Sequence, residues 1–180
     1  MVNERLVDLF AAKAAEAGAR VERLDTPAAA RRFLAAFLAG EGIVRVATAP
    51  DALAFVPAEA GLDVIRPADL RGYGKAEAGI VRADYGVAAT GTLVHRDAGD
   101  EDRIVWTLPP LCVCFLARSS VVGELEDIAA DLAGHLGPKG APGFSQVSLV
   151  TGPSRTADIE AELTLGVHGP GRLLILLHGA

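Results

Sequence analysis

The sequence predicts an α/β fold whose sheet is parallel in one part and antiparallel in another, and three observations predict it. Two N-terminal segments carry apolar residues at helical spacing, and β-rich runs then alternate with helix-forming ones. From Gly79 onward, closely spaced β-rich segments leave no room for a helix between them. The chain has 180 residues, of which 51% are hydrophobic and 22% charged. That is long enough to bury about two-thirds of the unfolded surface in one core. A single domain over residues 1–180 is expected, with helices in about the first 40 residues packing on it.

Taken in order, Leu6, Val7, Phe10, Ala11 and Ala14 recur at three- and four-residue steps, which makes a helix from Glu4 to about Ala17 that Gly18 ends. Val21 to Leu24 is a short strand. Thr26 caps a second helix with Pro27 at its first position, the stripe Ala30, Phe33, Leu34, Phe37, Leu38, and Gly40 at its end. IVRVAT after Gly42 is a strand, the alanine-rich stretch after Pro50-Asp51 a helix, and LDVIRP a strand stopped by Pro67, together a parallel βαβ unit. AGIVRAD, GVAATGTLVHRD and RIVWTL then form antiparallel strands, with a charged turn at Gly99 to Asp102. LCVCFLA is a buried strand, and Ser119 or Ser120 caps a helix bearing Val122, Leu125, Ile128, Ala129 and Leu132. GPKGAPG, around Pro138 to Gly143, is a loop; SQVSLVTG is a strand, GPSRTADIE a turn and helix start, and RLLILLH a final strand covered on both faces.

Composition excludes several classes. A net charge of −6 and an aromatic content of 5% argue against nucleic acid, because neither a basic track nor stacking platforms are present. The apolar runs fall well short of the roughly 20 residues of a membrane helix, so no membrane insertion is expected. MVNERLVDLF lacks the basic start of a signal peptide, so a cytoplasmic location is expected. Cys112 and Cys114 point to one face of a strand and are read as core. His95, His135, His168 and His178 form no HxxxH or CxxC-type pairing, so no metal is expected. Walker, GxGxxG, GxSxG and HExxH patterns are absent from the sequence.

Three segments carry candidate chemistry. Gly152, Ser154, Arg155, Thr156 and Asp158 follow a strand at the start of an expected helix, where unpaired N–H groups favour an anion such as a small carboxylate or phosphate. Arg155 adds a bidentate donor and the hydroxyls add further hydrogen bonds. The same residues also fit plain helix capping. Thr90, Gly91 and Thr92 place a glycine within a β-rich stretch, which suits close approach of a ligand, a bulge or a turn. His168, beside Gly169 and Pro170, is a loop histidine, an acid–base group or a hydrogen-bond donor to a substrate carboxylate. His168 and Asp158 are the candidates for a catalytic acid or base.

Together, ADYGVAATGTLV (Ala83 to Val94), Leu108-Pro109, GPSRTADIE (Gly152 to Glu160) and GVHGP (Gly166 to Pro170) resemble the LutC/YkgG family of lactate-utilisation proteins, the LUD domain. The resemblance covers about the last hundred residues. It implies a three-layer α/β/α fold with a mixed, mostly parallel sheet, as in ribose-phosphate isomerase and CoA transferases. It also implies a part in oxidising L-lactate to pyruvate beside two iron–sulphur partner proteins, LutA-like and LutB-like. The family often has an acidic residue directly before TGT, where this chain has Ala89, so no carboxylate base is available there. With two cysteines against the four thiolates of a usual cluster, no cofactor is expected in this chain and iron–sulphur clusters only in the partners. Binding of a small carboxylate or phosphate in a pocket formed by Thr90 to Thr92, Gly152, Ser154 to Asp158, His168 and Gly169 is the leading expectation. A non-catalytic assembly subunit, or an isomerase or transferase acting on a phosphorylated or CoA-linked substrate, are the alternatives.

Overall fold

The apolar stripes of the first two segments form helices, and the protein's computed structural model describes residues 2–65, 72–97, 99–135, 146–158, 162–166 and 168–179. In chain order the elements begin α1 (Glu4–Glu16), β1 (Arg20–Leu24), α2 (Pro27–Gly40), β2 (Arg45–Thr48), β3 (Asp63–Ile65), β4 (Ala78–Arg82), β5 (Tyr85–Val87) and β6 (Thr92–Asp97). They continue α3 (Asp100–Thr107), β7 (Leu111–Ala117), β8 (Val121–Val122), α4 (Ala129–His135), β9 (Gln146–Val150), β10 (Arg155–Asp158), β11 (Glu162–Leu165) and β12 (Arg172–His178). Val7, Phe10 and Ala14 bury one face of α1, and Ala30, Leu34 and Leu38 one face of α2. Thr26 accepts the Ala29 N–H at 3.1 Å, as its position before Pro27 requires.

Six strands form the main sheet in the order β1-β12-β7-β4-β2-β3, and every pairing in it is parallel. Its central strands, LCVCFLA and RLLILLH, are apolar almost throughout because helices and the second sheet leave neither face to water. Cys112 and Cys114 are fully buried here, and burial pushes both thiols up, well above the usual range. In a second sheet, β8-β5-β6-β9, β6 pairs antiparallel with both β5 and β9, while β5 pairs parallel with β8. Of the segments expected as antiparallel strands, GVAATGTLVHRD is in this sheet, whereas AGIVRAD forms β4 and pairs parallel with β2 and β7. The chain enters this sheet directly from the main one, from β4 through Ala83-Asp84 into β5 and from β7 through a short 3-10 turn into β8.

Four further expectations are corrected. The alanine-rich stretch after Pro50 forms 3-10 turns at Pro50–Phe55 and Ala58–Ala60, because Pro57 forces Val56 into an extended conformation and cuts the helix. RIVWTL belongs to α3, not to a strand: Asp102, Val105 and Trp106 are buried at helical spacing, and Thr107 donates its hydroxyl to the Arg103 carbonyl at 2.7 Å. The expected helix at Ser119 begins only at Ala129, after β8 and a 3-10 turn at Leu125–Ile128. Finally, GPSRTADIE does not start a helix. Arg155–Asp158 is β10, paired antiparallel with β11 from Arg155↔Leu165 to Asp158↔Glu162. A hairpin gives these backbone groups partners within one local unit, which a single helical turn cannot do. The loop around Pro138 to Gly143 lies outside the described residues.

Candidate functional site

The segments that carry the sequence motifs converge at the amino-terminal ends of β1, β7 and β12, around the last turn of α1. Gly91 has φ +67°, and a Cβ there would collide with the backbone of Lys13 and Ala14. Gly152 has φ +74°, and its Cβ would strike the Ala17 carbonyl. Both glycines are therefore required twice over, by a left-handed backbone and by contact with a helix. The Thr90 and Thr92 hydroxyls hydrogen-bond at 2.7 Å, and Thr92 reaches the hydroxyl of Thr151 at 2.7 Å, so the TGT turn is tied to the residue before Gly152. Ser154 donates its N–H to the Pro170 carbonyl at 2.9 Å and accepts from Gly166 N–H at 3.1 Å. Gly169 packs against the Ser154 side chain.

Thr90, Gly91, Thr92, Gly152, Ser154, Arg155 and Gly169 thus share one neighbourhood. Arg155, however, donates to the Ala17 carbonyl at the C-terminal end of α1, where a cation suits both the orphan carbonyl and the helix dipole. His168 is exposed on the loop after β11. Thr156 and Asp158 lie on β10, a strand, so the helix-start anion site drawn from their sequence has no helix to supply it.

Two further arginines sit beside this cluster. A pocket of about 190 Å³ is lined by Arg20, Arg172, Gly18, Gly171 and Phe37, with the start of β12 as its floor. Arg20 pairs with Glu22 at 2.7 Å and Arg172 with Glu41 at 2.7 Å, all four side chains partly exposed. The Arg172 hydrogen bond holds the Glu41 carboxyl below its usual range. Arg20 also lies 5.8 Å above the Phe33 ring and 5.4 Å above that of Phe37, which fixes its direction.

Sequence reasoning missed a second cluster, at the opposite end of the main sheet. There β2 leads outward to β3 while β4 leads the other way to β7, so the carboxyl ends of β2 and β4 flank a reversal of strand order, a place where open α/β sheets gather ligands. Arg82 spans it, bonding Asp51 at 3.1 Å and Asp84 at 2.9 Å. The Asp84 side chain is 5% exposed. It accepts the Arg96 backbone N–H at 2.9 Å and guanidinium at 3.1 Å, and His95 Nδ1 stands 3.7 Å away. Burial works against its charge, but the Arg96 hydrogen bonds and the nearby Arg82 outweigh it and hold the Asp84 carboxyl below its ordinary value. Asp51 moves the other way, raised by burial against the pull of Arg82. The available signal was the charge at the end of AGIVRAD and within TLVHRD, where otherwise apolar strands carry Arg82, Asp84 and Arg96.

A parallel sheet flanked by helices, with a second sheet folded over it and glycines pressed on α1, defines an α/β protein class by fold alone. The chain belongs to the LUD domain family, whose profile matches residues 7–178. A DUF162 family protein from Deinococcus radiodurans has a similar crystal structure, with a TM-score of 0.69 and 17% identity over 98% of both chains, which speaks for the fold. The chain is 37% identical over 101 residues to "Lactate utilization protein C" of Halalkalibacterium halodurans, covering 54% of this chain and 42% of that protein. It is 33% identical over 103 residues to the protein of the same name from Bacillus subtilis, covering 57% and 42%. The matched stretch therefore spans less than half of these curated relatives. Among the described residues, no helix is long and apolar enough to cross a membrane.

Proposed function

We propose that this protein is a LutC-like subunit of a lactate-utilisation system that binds a small carboxylate and leaves electron transfer to iron–sulphur partner proteins. The observation that carries this reading is the arginine-rimmed pocket at the amino-terminal ends of β1 and β12, beside the motif cluster. Two guanidinium groups present forked donors that match a carboxylate, and the Leu173 and Leu174 floor suits a short apolar body. The present partners, Glu22 and Glu41, form partly exposed pairs that water and salt screen, so a ligand carboxylate displaces them at little cost. The relatives named for lactate utilisation supply the substrate class.

Oxidation of L-lactate to pyruvate releases two electrons, which need a redox centre. Cys112 and Cys114 are the only cysteines of the chain, and both are held protonated inside the main sheet. A cluster held by thiolates at the surface is out of their reach, which favours a partner as the electron carrier. Calorimetry with L-lactate and with pyruvate tests the binding role. Arg172→Ala is expected to weaken a measured affinity roughly tenfold, the loss of one charge-assisted contact. Equal affinity in the variant would remove the pocket from the account. Heat from neither acid, together with recovery of the iron–sulphur proteins in a pull-down, would point instead to an assembly subunit.

A further inference from the structure

On the outer side of the second sheet, a cleft of about 360 Å³ opens between the TGT turn, the end of β9 and the 3-10 turn that precedes α4. Its lining is Val87, Leu125 and Leu149, the hydroxyls of Thr90, Thr92 and Thr151, and the side chains of Glu124 and Glu126. Leu125 and Leu149 are 39% and 52% exposed, a costly arrangement for two large aliphatic side chains flanking one cavity. The cleft belongs neither to the arginine pocket nor to the Asp84 cluster.

The three hydroxyls decide which kind of ligand fits. Three threonine hydroxyls bring three protons and six lone pairs. Their two mutual hydrogen bonds, Thr90 to Thr92 and Thr92 to Thr151, use two protons and two lone pairs, which leaves one proton against four lone pairs. The row is therefore rich in acceptors and poor in donors. Glu124 and Glu126 add only acceptors, and no basic side chain lines the cleft among the described residues. Asp127 adds no donor either: its carboxylate accepts the N–H groups of Gly123 and Glu124 at 3.0 and 2.9 Å, and the Glu124 carboxylate accepts the Asp127 N–H in return, a capping box that holds the turn in place. An anion in this cleft would meet two carboxylates and few free hydroxyl protons, so the lining favours a cation.

We infer that this cleft is a binding site for an aliphatic cation, an ammonium or guanidinium group on a short apolar chain. The cationic head donates to the threonine row and is neutralised by Glu124 and Glu126, and the chain lies between Leu125 and Leu149. A free amine and a lysine side chain of another protein share this chemistry. The inference stands independently of the carboxylate pocket, which is lined by Arg20, Arg172 and Phe37 and shares no lining residue with this cleft.

The test is a titration of the purified protein followed by methyl NMR of threonine and leucine, with n-butylamine, Nα-acetyl-lysine-N-methylamide and, as the anionic counterpart, butyrate. Saturable shifts of the Thr90, Thr92, Thr151, Leu125 and Leu149 methyls are expected with one or both cations and not with butyrate. Tighter binding of the blocked lysine assigns the site to a protein side chain, and tighter binding of the free amine to a small metabolite. Glu124→Gln with Glu126→Gln, both on the exposed turn, should weaken cation binding roughly tenfold, and added salt should weaken it in the intact protein. Thr92→Val tests the hydroxyl row separately and should also weaken binding. Saturation by butyrate at these methyls, no saturation by either cation, or unchanged cation affinity in the double glutamine variant would each overturn the assignment.

Discussion

Gly91 shows how a single position can be mistaken for a ligand contact. In the sequence, a glycine between two threonines in a β-rich stretch suits a ligand approaching the backbone; in the structure, what approaches is α1. Gly91→Ala adds a Cβ to a residue at φ +67° and drives it into the main chain of Lys13 and Ala14, neither of which is a flexible side-chain end. The left-handed backbone and the collision together should destabilise the protein by about 2 to 4 kcal/mol, read as a lower urea midpoint. A loss below about 0.5 kcal/mol, the range of ordinary surface changes, would show that the turn and α1 can separate without cost. The threonines on either side remain legible as a pair, since Thr90 and Thr92 do bond each other and Thr151. Their direction of use was not legible, because a count of spent protons requires knowing which hydroxyls meet across 59 residues.

Strands and helices divide by how strongly their own residues specify them. LCVCFLA and RLLILLH were readable because nearly every position is apolar, and they pair at the centre of the main sheet. RIVWTL was read as a strand from its β-branched residues, and tertiary burial of Asp102, Val105 and Trp106 made it helical. TGPSRTADIE failed for the same kind of reason: β10 exists only because β11 lies opposite, and that pairing has no local signature. The contrast between central and edge strands yields a measurable difference. Ile175 is fully buried in β12 between β1 and β7, so Ile175→Ala should cost about 2 to 5 kcal/mol. Leu149, half exposed on β9 at the edge of the second sheet, should cost under about 1 kcal/mol when changed to Ala. Parallel urea titrations of the two variants check this, and near-equal losses would mean that β9 is covered more fully than its exposure indicates. The small cost at Leu149 also makes it a safe position from which to probe the cleft it lines.

The molecule as a whole has two chemically different ends, with glycines and arginines at the amino-terminal edge of the main sheet and an ionic cluster around the buried Asp84 at its carboxyl-terminal edge. The second end contributes to acid stability. The folded-state pKa of Asp84 lies below its ordinary value, so its contribution is present above the unfolded carboxyl pKa of about 4 and is lost as pH falls through the folded value. Asp51, raised by burial, has the opposite sign: its contribution is present below the unfolded pKa and is lost as pH rises through the folded value. Glu77, lowered by the Arg45 and Val44 N–H groups, adds to the loss on the acid side. Asp84→Asn leaves Arg82 and Arg96, both partly solvated, facing a neutral amide. The cost at pH 7 should be about 2 to 3 kcal/mol, below the full figure for a buried pair because water screens both arginines. Urea unfolding of the parent and the Asn variant at pH 7, 5 and 3 then separates charge from packing. If charge is responsible, the gap is equal at pH 7 and 5, where Asp84 stays ionised in the parent, and narrows at pH 3 as the parent loses its own contribution. A gap that persists unchanged to pH 3 would mean that Asp84 holds the junction of the two sheets by shape and hydrogen bonding alone, and that its charge does nothing for the fold.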